Sequence, residues 1–518
     1  MKNKKKRKGF TLIELLAVII VLAIIALIAT PIIFNVIENA KIKSLENSCY
    51  GVIDAVRTKY AEELLNLNKI TNGNVNELTV SGEKPIDGTW TIDNSKDSEQ
   101  RGIKIDNVRF SSMKDYACSN DLETGKVSCK KTYKDNSSAN TPTLFKNMVP
   151  IKYENNKWII ADLGQKWYDY DAKEWANAVV LNSGVTKNVG DEVTEEEISL
   201  WYVWVPRYKY TIFNGNNGSV SEQLIDVTFE NDTERTGTVS CYDNFDEENR
   251  NEICGDRVYG SVKNNKSTYT HPAFKFGNTE LTGFWVGKFE VSGSTSAITI
   301  QPNVPSLRSE TVSSFFTAIQ NVKTTYGINN ADSHMMKNME WGAVAYLKQS
   351  KYGLGTTDIA ANTNSSYYTG GGQSDAYKTN VVQSTTGNIY GVYDMSGGAY
   401  EYVMGNIKNS SNTFYSSNAG FATAPDAKYY DSYKYDSSSN TTHARGKLGD
   451  ATKETLATFG NTRGGWYSDY ASFPGSSDSW FGRGGYYGDG TDAGVFIFGG
   501  SYGGDVDYYS ARAVLTAE

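Results

Sequence analysis

The chain opens with MKNKKKRKGFTLIELLAVIIVLAIIALIATPIIF (1–34), and this stretch determines the predicted fold of the N-terminal region. Six cations precede Gly9, and a nearly unbroken apolar run follows from Phe10 to Phe34. As a helix, residues 10–33 would be about 36 Å long, enough to cross a bilayer core of roughly 30 Å. The basic flank would stay on the cytoplasmic side. The sequence therefore predicts a membrane anchor rather than a cleaved secretory signal, because the run is too long and no small-residue cleavage site follows it.

One ionisable residue, Glu14, lies inside this apolar run, where a charge is costly and usually functional. The segment KGFTLIELL (8–16) resembles the leader and first helix of type IV prepilins. The resemblance implies cleavage by a prepilin peptidase between Gly9 and Phe10, and methylation of the new Phe10 amine. It also implies that Glu14 pairs with the N-terminal amine of a neighbouring pilin subunit during assembly. Loss of the leader would remove six positive charges and take the net charge from −8 to −14.

The chain beyond the apolar run is expected to continue as an amphipathic helix, because apolar residues recur at near-helical spacing as far as Leu65. Short alternating runs such as TWTID (89–93) and GIKIDNVRF (102–110) predict strands of a small sheet packed on that helix. A Ser/Asn/Thr-rich stretch then predicts a linker. The predicted segments are a leader at 1–9, a pilin-like helix and sheet at 10–133 with a transmembrane part at 10–33, a linker at 134–144 and a large domain at 145–518.

The chain has five cysteines, and their spacing favours two short-loop disulfides. Cys118 and Cys129 lie 11 residues apart in a predicted hairpin, and Cys241 and Cys254 lie 13 apart across an acidic loop. Spacing alone leaves the connectivity open. Cys49, on the amphipathic helix, is left over as a buried thiol. Disulfides agree with an extracellular location.

No metal site is predicted. The sequence has no Cys-x-x-Cys pair, and its three histidines, His271, His334 and His443, are widely spaced. The acidic loop YDNFDEENRNEI (242–253) is superficially similar to a calcium loop but lacks the Asp-x-Asp-x-Asp-Gly spacing. The sequence supports no cofactor.

Three motifs in the large domain follow one another in a recognisable order. They are GFWVGKFEVSG (283–293), NMEWGAVAYL (338–347) and GNIYGVYDMSGGAYEYV (387–403), with a predicted helix at 313–327 between the first two. This order resembles the formylglycine-generating-enzyme type of C-type-lectin-like fold. The predicted class is therefore α+β: a long pilin helix with a small sheet, then a large lectin-like domain rich in short strands and loops.

The resemblance implies a scaffold without the enzyme's chemistry. Asp394 and Glu401 would hydrogen-bond buried backbone. The formylglycine-generating enzymes need a late pair of copper-binding cysteines, whereas this chain has no cysteine after Cys254. The sequence offers no Ser-His-Asp arrangement and no phosphate-binding loop either. We therefore expect no catalytic residues and no enzymatic activity.

The C-terminal region has a restricted alphabet. Between Leu456 and Ala517 there is no Lys, Glu, Gln, Met or Cys, while Gly, Tyr, Asp, Ser and Phe are frequent. That composition is typical of antibody combining sites. The frame WFxRGG…AGxF…SxR resembles the variable protein of a diversity-generating retroelement, in which adenine-specific mutagenesis of Asn codons cannot yield Lys, Glu, Gln, Met or Trp. The alternative is a Gly/Tyr-rich end shaped only by packing.

This resemblance places a variable binding region at about 476–512. The residues expected to form its scaffold, together with Asp394 and Glu401, are Trp480, Arg483, Gly484, Gly485, Phe496 and Arg512. The residues expected to contact ligand are Ser477, Asp478, Tyr486, Tyr487, Asp489, Asp492, Ile497, Phe498, Ser501, Tyr502, Asp505, Asp507, Tyr508 and Tyr509.

The sequence thus predicts an adhesin or receptor-binding minor pilin on the bacterial cell surface, membrane-anchored or in a type IV pilus, with its C-terminal domain extracellular. The expected ligand is a protein or a glycan rather than nucleic acid, since phosphate binding needs cations that this region lacks. The alternatives are a pseudopilin of a secretion or DNA-uptake system and an extracellular enzyme on the formylglycine-type fold.

Overall fold

The chain divides into two compact units, Met1–Thr132 and Tyr133–Glu518. The computed structural model describes residues 12–65, 72–92, 102–113, 115–122, 124–211, 221–238, 268–328, 330–416, 418–435 and 446–517, without the side chains of residues 12–36 and Asp87. The predicted cleavage site at Gly9–Phe10, the pair Cys241 and Cys254, and the acidic loop lie outside the described residues. The side chain of Glu14 does as well.

The first unit is built on one long helix, α1 (Leu12–Leu65). Along its second half Leu45, Cys49, Val52 and Val56 are buried at helical spacing and form one apolar face. This face packs against three strands of a sheet. Within the described part of the chain, no helix combines the length and hydropathy needed to cross a membrane. The predicted transmembrane part, 10–33, falls on residues whose side chains are not described.

The sheet of the first unit has five antiparallel strands in chain order. Its buried residues, among them Trp90, Ile105 and Phe110, form a core with the apolar face of α1. The predicted helix-on-sheet arrangement is therefore confirmed for this unit. Its strands are β1 (Asn72–Asn74), β2 (Pro85–Ile92), β3 (Ile103–Phe110), β4 (Tyr116–Asn120) and β5 (Val127–Lys131).

A disulfide joins the last two strands of this sheet, as the sequence predicted. Cys118 on β4 lies opposite Cys129 on β5, and their sulfurs are bonded. Cys49 is a buried free thiol whose sulfur lies within 4.8 Å of both. Burial raises the pKa of the Cys49 thiol to about 12, so the thiol stays protonated and unreactive at neutral pH.

The predicted linker, 134–144, belongs to the core of the second unit. It has no helix or strand, but Ala139 is fully buried. The Asp135 carboxylate accepts a hydrogen bond from the backbone N–H of Tyr170 at 2.9 Å. The Asn140 amide donates to two backbone carbonyls at 2.9 Å each. These buried polar contacts hold the segment against the second unit.

The second unit is centred on an eight-stranded sheet with the order β19-β25-β16-β10-β8-β6-β7-β9. All nine residues of its central strand β10, ISLWYVWVP, are buried, so the sheet is covered on both faces. The last strand of the chain, β25, lies between β16 and β19 and brings the C-terminus into the core. The strands are β6 (Met148–Glu154), β7 (Lys157–Ile160), β8 (Asn177–Leu181), β9 (Glu192–Val193), β10 (Ile198–Pro206), β16 (Gly283–Gly287), β19 (Asp332–Met335) and β25 (Ala513–Thr516).

A second sheet of this unit carries the region of restricted alphabet. Strand β20 pairs with β22, which pairs with β23, while β21 and β24 pair with β20 in parallel. Because β20 contacts three other strands, it joins the GVYDMSGGAYEYV motif to the C-terminal region. The strands are β20 (Tyr400–Ile407), β21 (Asp431–Tyr433), β22 (Trp480–Gly484), β23 (Gly494–Ser501) and β24 (Tyr509–Ala511).

Smaller elements complete the second unit. The helix predicted at 313–327 is confirmed, with shorter bounds, as two consecutive helices, and the NMEWGAVAYL motif (338–347) forms a further helix. The remaining strands are β11 (Tyr208–Thr211), β12 (Val227–Phe229), β13 (Thr268–Thr270), β14 (Lys275–Phe276), β15 (Thr279–Glu280), β17 (Ser292–Ser294) and β18 (Ala297–Thr299). The helices are α2 (Val312–Gln320), α3 (Val322–Thr325), α4 (Asn338–Lys348) and α5 (Ala376–Thr379). The chain is thus of the α+β class.

Candidate ligand-binding surface

Two loops of the C-terminal region converge on one residue of strand β20. The first loop, 486–492, follows β22, and the second, 502–508, follows β23. The Tyr400 ring stacks on Tyr486 of the first loop with 6.0 Å between centroids. It lies 6.2 Å from the Tyr508 ring of the second loop. Tyr400 therefore anchors both loops at the same place.

Five tyrosine rings form a continuous patch there, which we call the tyrosine surface. It consists of Tyr367, Tyr400, Tyr486, Tyr487 and Tyr508. Tyr487 packs edge-on against Tyr367 at 4.9 Å and against Tyr486 at 5.2 Å, and Tyr486 lies 5.5 Å from Tyr508. Tyr508 is 39% exposed and the others are half-buried. Such ring pairs are each worth about 0.5–1.5 kcal/mol beyond area burial, so the patch is held in place before any ligand arrives.

Asp489 fixes the first loop beneath these rings. Its carboxylate accepts a hydrogen bond from the backbone N–H of Tyr486 at 3.1 Å. It also accepts one from the Tyr400 hydroxyl. Burial raises the pKa of Asp489 above its ordinary value. The half-buried Asp489 carboxylate is therefore a hydrogen-bond acceptor beneath the tyrosine rings.

Arg308 and Tyr367 contribute to the surface from loops far away in the sequence. The guanidinium carbon of Arg308 lies 3.8 Å from the centroid of the Tyr367 ring, and Arg308 donates a hydrogen bond to the backbone carbonyl of Asp507. Tyr367 has a φ of 57°, which is uncommon outside glycine and is often associated with functional sites. Sequence reasoning missed both residues, because they lie in irregular loops upstream of the restricted alphabet. The Tyr-Tyr pair at 367–368 was the available signal.

Four predicted contact residues are buried and cannot be reached by a ligand at the surface. Ile497 and Phe498 are 0% exposed, since both faces of β23 are covered. Phe498 packs on Phe473 at 4.7 Å, and Tyr509 stacks on Tyr402 at 4.2 Å. The Ser501 hydroxyl lies 3.1 Å from the Tyr402 hydroxyl. These four residues belong to the core beneath the loops rather than to the contact set.

Other predicted contact residues are accessible, and they lie in three places. Tyr502, Asp505 and Asp507 are exposed on the second loop, beside the tyrosine surface. Asp492 instead forms an ion pair with Arg463 at 2.7 Å. Ser477 and Asp478, which share a hydrogen bond of 3.0 Å, lie on the loop before β22. No described contact joins that last pair to the five rings.

The residues expected to act as scaffold lie below the loops in the core. A buried ion pair connects Arg512 to Glu401 on β20, with 2.9 Å between Nε and Oε2. Arg512 also donates to the backbone carbonyls of Gly287 at 2.8 Å and Tyr393 at 2.9 Å. Its guanidinium therefore joins both sheets of the second unit. The remaining scaffold residues, all buried, are Trp480, Arg483, Gly484, Gly485, Phe496 and Asp394.

Two further buried carboxylates tie this core to the loops. Asp394 accepts from the backbone N–H of Gly370 at 2.9 Å and so holds the turn after Tyr367. Glu290 accepts from the backbone N–H of Ala399, next to Tyr400, at 2.9 Å. It also accepts from the Ser306 hydroxyl. Burial raises the pKa of Asp394 to about 6 and that of Glu401 to about 7. The tyrosine surface therefore rests on a network of buried charge.

The described histidines and cysteines form hydrogen bonds, a disulfide or buried contacts within the fold. His334, in β19, lies between Asp332 at 3.1 Å and Glu340 at 3.0 Å, and His271 accepts from the backbone N–H of Ala273 at a helix start. His443 lies outside the described residues. Among the described residues, the one group with metal-ligand proximity is Cys49 with Cys118 and Cys129, two of which are disulfide-bonded.

Comparison with known proteins assigns the N-terminus. Residues 4–30 match the family model of the prokaryotic N-terminal methylation motif. The match fits a type IV pilin or pseudopilin. It points to processing by a prepilin peptidase, assembly with other pilin subunits, and a membrane-anchored or pilus-associated position at the surface. No curated protein matches the chain.

Proposed function

We propose that this chain is a displayed ligand-binding protein, an adhesin or receptor-binding minor pilin, that acts without catalysis or a cofactor. In this proposal the methylation motif anchors the chain, and the second unit offers the tyrosine surface to an extracellular protein or glycan. The observation that carries the proposal is the continuous patch of five tyrosine rings held over a fully buried ion pair.

The chemistry of the patch supports recognition. Tyrosine presents a large rigid surface with only two side-chain torsions, so little entropy is lost when a ligand binds. Each ring also carries a hydroxyl that can donate or accept a hydrogen bond. The ring contacts among Tyr486, Tyr487 and Tyr508 fix the rings beforehand, and such preorganisation favours affinity.

Diversification of the surface is part of the proposal. The restricted alphabet of 456–517 is close to what adenine mutagenesis of Asn codons produces, and the scaffold positions of the matching frame are buried while the two loops are accessible. A diversity-generating retroelement therefore fits the division between core and loops. The test is the nucleotide sequence around the gene. A near-copy of the 3′ end differing at adenines, beside a reverse transcriptase, would support diversification, and its absence from the genome would refute it.

Binding can be tested on the full-length protein. Tyr486, Tyr487 and Tyr508 are replaced together by Ala, and the binding of a displayed random peptide library and a glycan array is compared with wild type. The proposal expects the triple variant to lose binding while remaining folded. A matched variant replaces Tyr415 and Tyr435 by Ala, two half-buried tyrosines with no described ring contact to the five rings, and should bind normally. Retained binding by the triple variant would refute the proposal.

A pseudopilin of a secretion or DNA-uptake system is the second candidate, because the methylation motif fits it equally well. That function predicts partners within an assembly machine and no variation at 486–492 or 502–508 between strains. Sequencing these loops in related isolates separates the two functions.

A further inference from the structure

We infer that the tyrosine surface takes a cationic ligand, a basic segment of a partner protein whose Arg or Lys side chains lie over the tyrosine rings. This inference rests on the proposed function, because it names the ligand class of the same surface. We draw it from the balance of charge around the rings and from one cation, Arg308, that the chain itself places there.

The C-terminal region brings carboxylates to the surface but no free cation. Residues 456–517 contain six aspartates and three arginines. Arg483 and Arg512 are fully buried, and Arg463 is paired with Asp492 at 2.7 Å. The negatively charged side chains of Asp505 and Asp507, by contrast, are exposed. No arginine of this segment offsets these two carboxylates, and the cation that the chain places beside them, Arg308, comes from another loop and donates to the backbone carbonyl of Asp507.

The rings themselves favour a cation. The face of an aromatic ring carries partial negative charge and attracts an ammonium or guanidinium group. The Tyr486 ring lies 5.2 Å from the Tyr487 ring and 5.5 Å from the Tyr508 ring, so one side chain can contact more than one ring. Burial, followed by the nearby Tyr502 and Asp507, raises the pKa of the Tyr508 hydroxyl, as expected where added negative charge is unfavourable.

Arg308 shows within the chain how such a ligand fits. Its guanidinium lies 3.8 Å from the Tyr367 ring centroid and donates to the Asp507 carbonyl, so it combines a ring face with an oxygen acceptor from the second loop. Beside it, Tyr487 and Tyr486 continue the same patch of rings. Further arginine or lysine side chains from a partner would extend the arrangement that Arg308 begins. A neutral glycan would stack on the rings and donate hydroxyl hydrogen bonds to the carboxylates, but it would form no ion pairs with them.

The test uses a displayed random peptide library selected on the full-length protein, with the selected peptides then synthesised. The inference expects them to be enriched in Arg and Lys. It also expects their dissociation constants to rise about tenfold when Asp505 and Asp507 are both changed to Asn. Binding should weaken as NaCl is raised from about 0.05 M to about 0.5 M, because salt screens exposed charges. A control with Glu154→Gln and Glu234→Gln, exposed carboxylates away from the surface, should bind like wild type.

The outcomes separate this inference from the proposed function. If the selected peptides are neutral or acidic, or if only oligosaccharides of a glycan array bind, the inference is overturned. The proposed function survives in that case provided that binding is lost in the Tyr486→Ala, Tyr508→Ala variant. If peptides bind equally well to that variant, the proposed function fails as well. Unchanged affinity in the Asp505→Asn, Asp507→Asn variant overturns the inference alone.

Discussion

Strand β22 and the loop that follows it are neighbours in the sequence, yet they have opposite roles. All five residues of β22 are buried, and Trp480 stacks on Phe421 at 5.5 Å. In the loop 486–492 the side chains of Tyr486, Tyr487 and Asp489 are accessible, and the contacts of the two tyrosines are mainly with other tyrosines. The side chains of the strand therefore belong to the core, whereas those of the loop form part of the accessible surface.

The same contrast separates two arginines of the region. Arg512 is 0% exposed and is bound to Glu401 and two backbone carbonyls, whereas the Arg463 side chain is 65% exposed and is bound to Asp492. Buried ion pairs are strongly destabilising to break, while exposed pairs contribute little. Removing an arginine from the core should therefore lower the free energy of unfolding much more than removing one from a loop.

The largest difference is expected between Arg512→Leu and Arg463→Leu. The first change leaves the Glu401 carboxylate buried without its partner and should lower the free energy of unfolding by about 3–5 kcal/mol. The second should change it by less than about 1 kcal/mol. Urea unfolding followed by tryptophan fluorescence measures both in the second unit, since all ten tryptophans except Trp90 lie there. Equal losses would show that core and loop do not differ as the contacts indicate.

The next largest effect is expected at Ile497, which the sequence predicted as a contact residue and the structure places in the core. Ile497 was expected at the surface but is 0% exposed, so Ile497→Ala should leave a cavity and lower the free energy of unfolding by about 2–4 kcal/mol. Ile497→Val, which removes one methylene, should lower it by about 1 kcal/mol. Tyr502→Ala, on an exposed side chain of the same region, is the control. A stable Ile497→Ala variant that loses ligand binding would restore Ile497 to the contact set.

Ile497 also shows why the sequence predicted the site only in part. A strand covered on one face alternates between buried and exposed residues, and that pattern is readable in a sequence. Strand β23 is covered on both faces, so its apolar residues form a continuous run that looks like a row of contacts. Tyr508 and Tyr509 are adjacent and identical, and only the pairing of β24 with β20 decides that Tyr509 is buried.

Other parts of the molecule were predicted more completely. The methylation motif is local, so KGFTLIELL could be recognised without a structure. The helix-on-sheet form of the first unit and the Cys118–Cys129 pair follow from short-range patterns. Tyr367 and Arg308 could not be predicted, because long irregular loops bring them to the tyrosine surface and loop geometry has no sequence period.

A smaller effect concerns the pH dependence of the buried network. Burial raises the pKa of Asp394 from 3.8 to about 6, so the folded chain holds this proton more tightly than the unfolded chain does. The stability contributed by the proton is present below about pH 4 and is lost as the pH rises through about 6, by at most about 1.4 kcal/mol per pH unit. Asp394→Asn removes the titration and keeps an oxygen that can accept from Gly370.

This prediction is measured as the difference in unfolding free energy between wild type and Asp394→Asn at several pH values. Relative to the variant, wild type should lose stability steadily between about pH 4 and about pH 6. The Tyr508→Ala variant, changed in a loop instead of the core, should differ from wild type by a constant amount over the same range. A constant difference for Asp394→Asn as well would mean that the carboxylate is not held protonated by burial.

A small effect on stability should accompany a clear effect on binding at Tyr487. Tyr487→Ser removes an edge contact with Tyr367 at 4.9 Å and another with Tyr486 at 5.2 Å, both at an accessible site. The expected loss of unfolding free energy is about 0.5–1 kcal/mol, because the ring is only half-buried and other tyrosines remain. Binding of a peptide selected on wild type should nevertheless weaken about tenfold, as measured by fluorescence anisotropy. If Tyr487→Ser destabilised the second unit as much as Ile497→Ala does, the loop would be part of the core, and a variable binding surface could not be built on it.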